Sequence, residues 1–400
     1  MMPAGALSEF RVLDVATFIA APFCGTVMSD FGAEVIKIEQ PAGGDSLRRF
    51  GTGTECGDTL VWLSEARNRK SVTLDLRTSE GADIFKQMVA KSDVVLENFR
   101  PGTMEKWGLS YETLAEINPK IVMLRVSAYG QTGPMREKPG FARIAHAFSG
   151  LAYLAGEPGR PPVVPGSTSL ADYMTGLYGA FGVMVALHHA AATGRGQMID
   201  IGLYESIFRV LDELAPAYAR SGYKRERMGP DTVNIVPHSH YETKDGAWVA
   251  LACSNDRMWQ RLAFAMGKPE FGSDPRYARI EARAERRAEL NGIVSAWTGS
   301  LSASEVLARC EAAEAPCSKL MDIEDIFADP QYAERCNLLR VEDPRIGEIV
   351  IPAPLPRLSE TPPALHSTGP ALGASTSQVL QDLLGMDLAE IERLKSYRII

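Results

Sequence analysis

The rhythm of apolar positions changes along this chain. Over the first third, short β-branched runs alternate with stretches whose apolar side chains recur every three or four residues. Arg11–Thr17, Glu34–Glu39, Ser71–Leu76, Val94–Phe99 and Ile121–Val126 read as strands. Pro22–Phe31 reads as a helix ending at Gly32, and the spacing of Ala82, Ile84, Phe85, Met88 and Val89 predicts another over 79–90. This alternation predicts a doubly wound parallel sheet, in which ligands bind beyond the carboxyl ends of the strands. Thr17–Pro22, Gln40–Gly44 and Asn98–Gly102 are thereby placed at the expected binding edge.

A longer apolar run, Ser167–Leu187, predicts a buried helix whose first turn carries one carboxylate, Asp172. Leu170–Ala192 has the length of a membrane span, but Asp172, His188 and His189 interrupt it. A core helix, with no membrane partner, is the expectation. After about residue 220 the pattern shifts. Asp245-Gly246 marks a turn before a strand at Trp248–Cys253, and helical spacing follows over Arg257–Met266, Arg276–Trp297 and Ser302–Ala313. Proline and glycine crowd residues 344–373 and predict an extended crossing segment. Val379–Leu394 is a last amphipathic stretch.

Composition narrows the classes. The chain has 400 residues, 45% hydrophobic and 23% charged, as in an ordinary soluble protein. A net charge of −8 argues against a nucleic-acid partner, which calls for a basic face. The six cysteines form no C-x-x-C pair and read as free thiols of a cytoplasmic protein. The N-terminus lacks the basic and apolar regions of a signal peptide. The common nucleotide, metalloprotease and serine-hydrolase motifs are missing, and His146, His188, His189, His238, His240 and His366 show no metal-ligand spacing. Neither a metal nor a tightly bound cofactor is expected. Arg67, Arg69, Lys70, Arg100 and Lys106 lie near predicted strand ends, where cations hold phosphates.

Asp172 is the candidate catalytic residue. A helix start offers free N–H groups and a positive dipole end, which favour the ionised, nucleophilic carboxylate. The plainer role for an acidic residue there is to stabilise the helix. The surrounding sequence decides between them. Val12-Leu-Asp14 through Ala21-Pro22, Gly32–Glu39, Asn68–Ser71, Glu97–Gly102, Tyr129–Pro134, Ala171-Asp172 and Thr193–Gln197 together resemble the family III CoA-transferases over nearly the whole chain.

The resemblance implies an α/β fold with a large Rossmann-like parallel-sheet domain formed by the N- and C-terminal parts. Residues 1–220 and 321–400 would form it, with a small α/β domain inserted over 221–320 and two protomers interlocked as a homodimer. It implies Asp172 as nucleophile, forming an aspartyl mixed anhydride and then an aspartyl-CoA thioester while CoA passes from an acyl-CoA to a small carboxylic acid. CoA contacts carry over to Thr17, Phe18, Ala20, Gln40, Arg69, Asn98, Phe99, Lys106 and Phe141. Around Val236–Gly246 the sequence is closer to dicarboxylate-handling members, with succinyl-CoA as the expected donor. Ile19, Arg143, His238 and His240 are candidates for substrate contact; the three charged or polar ones suit a second carboxylate. Two alternatives share the fold: intramolecular transfer within one dicarboxylate, as between C1 and C4 of mesaconyl-CoA, and an α-methylacyl-CoA racemase. The racemase needs a second acid/base, and the corresponding stretch here is Gly140-Phe141-Ala142-Arg143-Ile144, without the histidine.

Overall fold

The computed structural model describes residues 5–400; part of the N-terminal signal-peptide reading lies outside them. The chain divides into two compact units. The first takes the residues up to Ala152, then Val164–Gly222 and Cys336–Ile400; the second takes Tyr153–Val163 and Tyr223–Arg335. The later boundary thus falls at 335/336 rather than 320/321, because the helices Ile323–Ala328 and Pro330–Glu334 group with the second unit.

The first unit is organised by six parallel strands: β1 (Arg11–Asp14), β2 (Glu34–Glu39), β3 (Arg69–Thr73), β4 (Val94–Glu97), β5 (Val122–Ser127) and β6 (Met198–Gly202), in the order β3-β2-β1-β4-β5-β6. Leu13 lies opposite Ile36 on one side and Val95 on the other. Helices cover both faces, which is why these strands are apolar on both. On one face, helix α2 (Ser79–Val89) brings Phe85 and Met88 against Leu13, Ile36 and Val95. The C-terminal helices Thr376–Leu384 and Leu388–Ser396 add Leu380, Ile391 and Leu394. On the other face lie α1 (Ala20–Asp30) and a long helix that we label α5 (Leu170–Thr193). Between these in sequence come α3 (Thr103–Lys106) and α4 (Ala142–Phe148).

Glycines set how close α5 comes. A Cβ on Gly176 would stand 2.7 Å from the Ala20 carbonyl oxygen, and one on Gly179 would stand 2.7 Å from Leu124 Cδ2. The helix therefore packs tightly on α1 and β5, and its first turn is carried over the sheet's carboxyl edge. It ends at Gly194, whose φ of 75° suits a left-handed C-cap. Though long and apolar enough for a membrane span, α5 buries Ala171, Thr175, Gly176, Ala180 and Val183 within this unit.

The second unit is built on antiparallel strands β7 (His238–Glu242), β8 (Trp248–Ala252) and β9 (Cys317–Lys319), with Trp259, Tyr241, Val249, Leu262 and Val294 in its own core. Several predicted elements differ from those observed. The helical stretch Arg276–Trp297 is two helices, Ile280–Glu285 and Arg287–Thr298, that meet at Arg286, outside helical geometry with ψ 28°. Val379–Leu394 is likewise interrupted, by Gly385 at φ 70°. The segment 344–373 is extended only in part. It holds the second strand of a hairpin, Leu338–Asp343 with Gly347–Pro352. Edge strand β6 had no predicted counterpart.

Candidate active site

The strand order reverses direction between β1 and β4, so the loops leaving these neighbours diverge and open a crevice. The loops are clasped at its base: Thr17 N–H donates to Asn98 Oδ1 at 2.8 Å, and Asn98 Nδ2 donates to the Thr17 carbonyl at 2.7 Å. The next residue, Phe18, holds φ at 61°, a left-handed conformation that costs a bulky residue energy. Its N–H is tied to Asp45 Oδ1 at 2.9 Å. The Phe18 ring meets Phe141 edge-to-face at 5.9 Å and Phe50 at 6.1 Å. On the β4 side, buried Glu97 accepts from Phe99 N–H at 2.7 Å and from Arg125 at 2.6 Å. Arg125 also reaches Glu105 at 2.7 Å, so the loop bearing Asn98 and Phe99 is anchored from below. Burial pushes the Glu97 carboxyl up to about 7 despite Arg125.

A cleft of about 220 Å³ lies over this crevice, walled by Thr17, Phe18, Ile19, Ala20, Asn98, Phe99 and Phe141, with Arg100, Arg136 and Lys138 as cations and Asp172 at one side. A second cleft, of about 450 Å³, shares Phe18, Ile19, Phe141 and Asp172, and adds Arg143, His146 and the Ser167–Ser169 segment. Asp172 is thus the junction. A third, of about 350 Å³, adjoins the first through Thr17 and Phe99 and contains Gln40. Oriented toward the guanidinium, the Gln40 amide oxygen accepts from Arg77 at 2.7 Å. A fourth, of about 670 Å³, shares Arg100 and Arg136 with the first and contains Lys106 on α3.

Asp172 sits in the first turn of α5, whose N-cap is Ser169. Among the described residues its carboxylate has no hydrogen-bond or ion-pair partner, and burial alone pushes its pKa up to about 7. The expectation that the helix terminus would favour its ionised form is therefore corrected. Burial, which disfavours the charged form, is the cause that moves the pKa. Ala171 N–H, one of the unpaired donors of that turn, is taken by His146 Nε2 at 3.0 Å.

Of the residues expected to contact CoA, Thr17, Phe18, Ala20, Asn98, Phe99 and Phe141 line the first cleft, and Gln40 and Lys106 line its neighbours. Arg69 does not join them. It begins β3, so the strand starts before the predicted Ser71, and its guanidinium is buried against Asp14 at 2.6 Å, Thr26 Oγ1 at 2.7 Å and the Pro22 carbonyl. The cations beside it are also committed, Arg67 to Asp30 at 2.6 Å and Lys70 to Glu34 at 2.6 Å. All three stand at the amino end of β3, away from the carboxyl edge, and each is ion-paired within the fold. Ile19 and Arg143 line the second cleft; Arg143 is exposed and, among the described residues, unpaired. His238 and His240 lie on β7 of the second unit and are absent from the described lining of either cleft. Arg136, Lys138 and His146 were missed as site residues. The first two follow β5 in a run closed by Pro139-Gly140, a strand-end position that could have marked them.

A doubly wound sheet with a crevice at its switch point, basic side chains around it and a lone carboxylate between two clefts has the make-up of an enzyme active site. The chain belongs to CoA-transferase family III, whose family model matches residues 7–376. It is 53% identical over 396 residues to the succinyl-CoA–L-malate CoA-transferase beta subunit of Chloroflexus aurantiacus, covering 98% of each chain. It is 42% identical to the succinyl-CoA–D-citramalate CoA-transferase of the same organism, covering 100% of this chain and 99% of that one. A crystal structure of a CAIB/BAIF family protein from Brucella suis superposes with a TM-score of 0.83 at 32% identity, over 95% of this chain and 100% of that one. The protein is a CoA-transferase. Neither alternative is favoured: both Chloroflexus relatives carry the names of transferases. The nearby imidazole, His146, has its Nε2 occupied by Ala171 rather than free for proton transfer.

Proposed function

We propose that this CoA-transferase moves CoA from succinyl-CoA to a small dicarboxylic acid of the hydroxylated malate or citramalate kind, with Asp172 as the covalent carrier. The observation that carries the reading is the placement of Asp172, a half-buried carboxylate without a partner among the described residues, at the junction of two clefts. Such a group is accessible from both sides and poorly solvated, which makes its anion a stronger nucleophile than a hydrated carboxylate. The names of the Chloroflexus relatives support the donor and the class of acceptor.

The Asp172 anion attacks the thioester carbonyl of succinyl-CoA; the C–S bond breaks and CoA thiolate leaves, giving a succinyl-aspartyl anhydride. The thiolate attacks the aspartyl carbonyl, succinate departs, and an aspartyl-CoA thioester remains. The acceptor's carboxylate attacks that thioester and again expels the thiolate. The thiolate then takes the acyl group from the second anhydride and frees Asp172. Each hard exchange is divided into easier displacements, and no net proton is consumed. Arg100, Arg136 and Lys138 suit the phosphates of CoA, while the first cleft admits its thioester end. Arg143, exposed and uncommitted in the second cleft, suits the far carboxylate of the diacid.

The reading includes the interlocked pairing of two copies of the chain. Leu177, Phe181 and Val185, spaced four apart on α5, are exposed and form an apolar stripe of the kind an interface covers. Light scattering that finds only monomer would remove this part. For the reaction, succinyl-CoA incubated with a panel of mono-, di- and hydroxydicarboxylic acids, with products resolved by mass spectrometry, gives the test. New CoA thioesters of hydroxy diacids are expected; transfer confined to monocarboxylic acids would overturn the proposed acceptor class.

A further inference from the structure

Helix α5 begins without a cap of its own. The Ser169 side chain makes no capping hydrogen bond, although a serine there ordinarily supplies one. The donor Ala171 N–H is instead satisfied from another helix, by Nε2 of His146 on α4, 25 positions away in sequence, at 3.0 Å. The imidazole is nearly fully buried and lines the same cleft as Asp172. A backbone N–H can only donate, so Nε2 must carry its lone pair and the ring's proton must sit on Nδ1. The His146 ring is thus neutral for as long as this bond exists. Putting a proton on Nε2 would set two donors face to face and break it.

We infer that His146 is a positioning residue for catalysis: its neutral imidazole caps α5 from outside the helix and holds the turn that carries Asp172 between the two clefts. The inference rests on the reading of Asp172 as the nucleophile. The surroundings offer nothing that would stabilise a cation, and the Nδ1 that carries the proton is itself buried without a partner among the described residues. Arg143 is on its own helix, one turn earlier, and burial and that guanidinium hold the imidazole below its usual range. Of the elements packed on α4, α5 presents Asp172, which shares a cleft with His146, while the neighbouring Tyr173 ring packs on Phe23. The helix Leu203–Phe208 presents Tyr204, whose ring stands against Phe148, and Glu205, whose carboxylate is taken by Gly202 N–H at 2.7 Å. None of these carboxylates is hydrogen-bonded to the imidazole to stabilise its cation.

The test is the pH dependence of kcat/KM for succinyl-CoA in wild type, His146→Gln and His146→Phe. Glutamine keeps an oxygen acceptor for Ala171 N–H at every pH; phenylalanine keeps ring bulk and removes the acceptor. In wild type the acid limb should steepen from slope one to slope two, as first Asp172 and then His146 is protonated. In His146→Gln it should stay at slope one, with most of the wild-type rate at pH 8. His146→Phe should lose about tenfold at pH 8, the worth of one lost hydrogen bond in the transition state. A wild-type limb no steeper than that of His146→Gln, or a phenylalanine variant as active as wild type, overturns the positioning role. Mass analysis of wild type separates this from its premise. An acyl or CoA adduct at position 172 combined with those negative results sinks the inference alone, whereas no adduct at 172 sinks the nucleophile reading and the inference with it.

Discussion

The carboxylates below the crevice and the one above it have opposite surroundings. Beneath the crevice three buried carboxylates are matched: Asp14 with Arg69 at 2.6 Å and Lys37 at 3.4 Å, Asp45 with Lys37 at 2.9 Å, Glu39 with Arg48 through two bonds of 2.7 Å. Above it, Asp172 has no partner among the described residues and its pKa moves up to about 7. The paired groups shape and stiffen the loops, including the left-handed Phe18 whose N–H Asp45 holds. The unpaired one opposes folding. A charged group left without compensation where the sheet's ligand edge opens marks reactivity rather than architecture.

Asp172→Asn breaks this contrast at its extreme. Exchange should fall by at least ~10⁴-fold, since no other group offers a carrier for the acyl chain. Stability should move the other way. The folded carboxyl titrates near 7 against its ordinary 3.8, so between these pH values the native state holds a proton that the unfolded chain releases. The contribution of Asp172 to stability is therefore lost as pH rises from about 4 to about 7 and stays lost above. The variant should melt higher than wild type at pH 8, by ~2 °C or more, and alike near pH 4. If the carboxylate only stabilised the helix, the variant would melt lower at pH 8.

Arg69→Met probes the matched group. It leaves Asp14 with Lys37 alone in a fully buried position, and breaking such a pair costs about 3–5 kcal/mol. Calorimetry should show a large fall in Tm; an unchanged Tm would contradict the assignment of Arg69 to the fold. Arg143→Leu sharpens the contrast within the site. It should raise KM for dicarboxylic acceptors ~10–100-fold, the worth of one charge-assisted hydrogen bond, while sparing monocarboxylic ones. Equal effects on both would remove Arg143 from recognition. The smallest effect belongs to Gly179→Ala, whose new methyl meets Leu124 at 2.7 Å. Overpacking of about 1–3 kcal/mol should lower Tm and shift α5, so activity should fall by more than the lost stability explains. Wild-type activity in this variant would show that the helix does not hold the carboxylate in place.

Much of this was legible in the chain. Strands β1, β2, β4 and β5 show in their β-branched runs, and the binding edge follows from strand-helix alternation. A solitary acidic residue at the head of a long apolar helix singles out Asp172. What was not legible depends on distances through space. Arg69 looks like a phosphate ligand until β3 is seen to begin with it and point it at Asp14. The helix terminus suggests an easily ionised Asp172 until its dehydration is weighed. His146 carries no signal, because nothing in its neighbourhood in sequence refers to Ala171. Arg286 and Gly385 break helices whose apolar periodicity runs on across them. Strand β6 alternates only weakly and lies at the sheet's edge, where one side is exposed.

The most direct measurement is peptide mass analysis of the enzyme mixed with succinyl-CoA and quenched with hydroxylamine. An acyl-activated carboxyl group should be converted to a hydroxamate at position 172 and at no other acidic residue. An unmodified Asp172 in enzyme that is turning over would contradict the account.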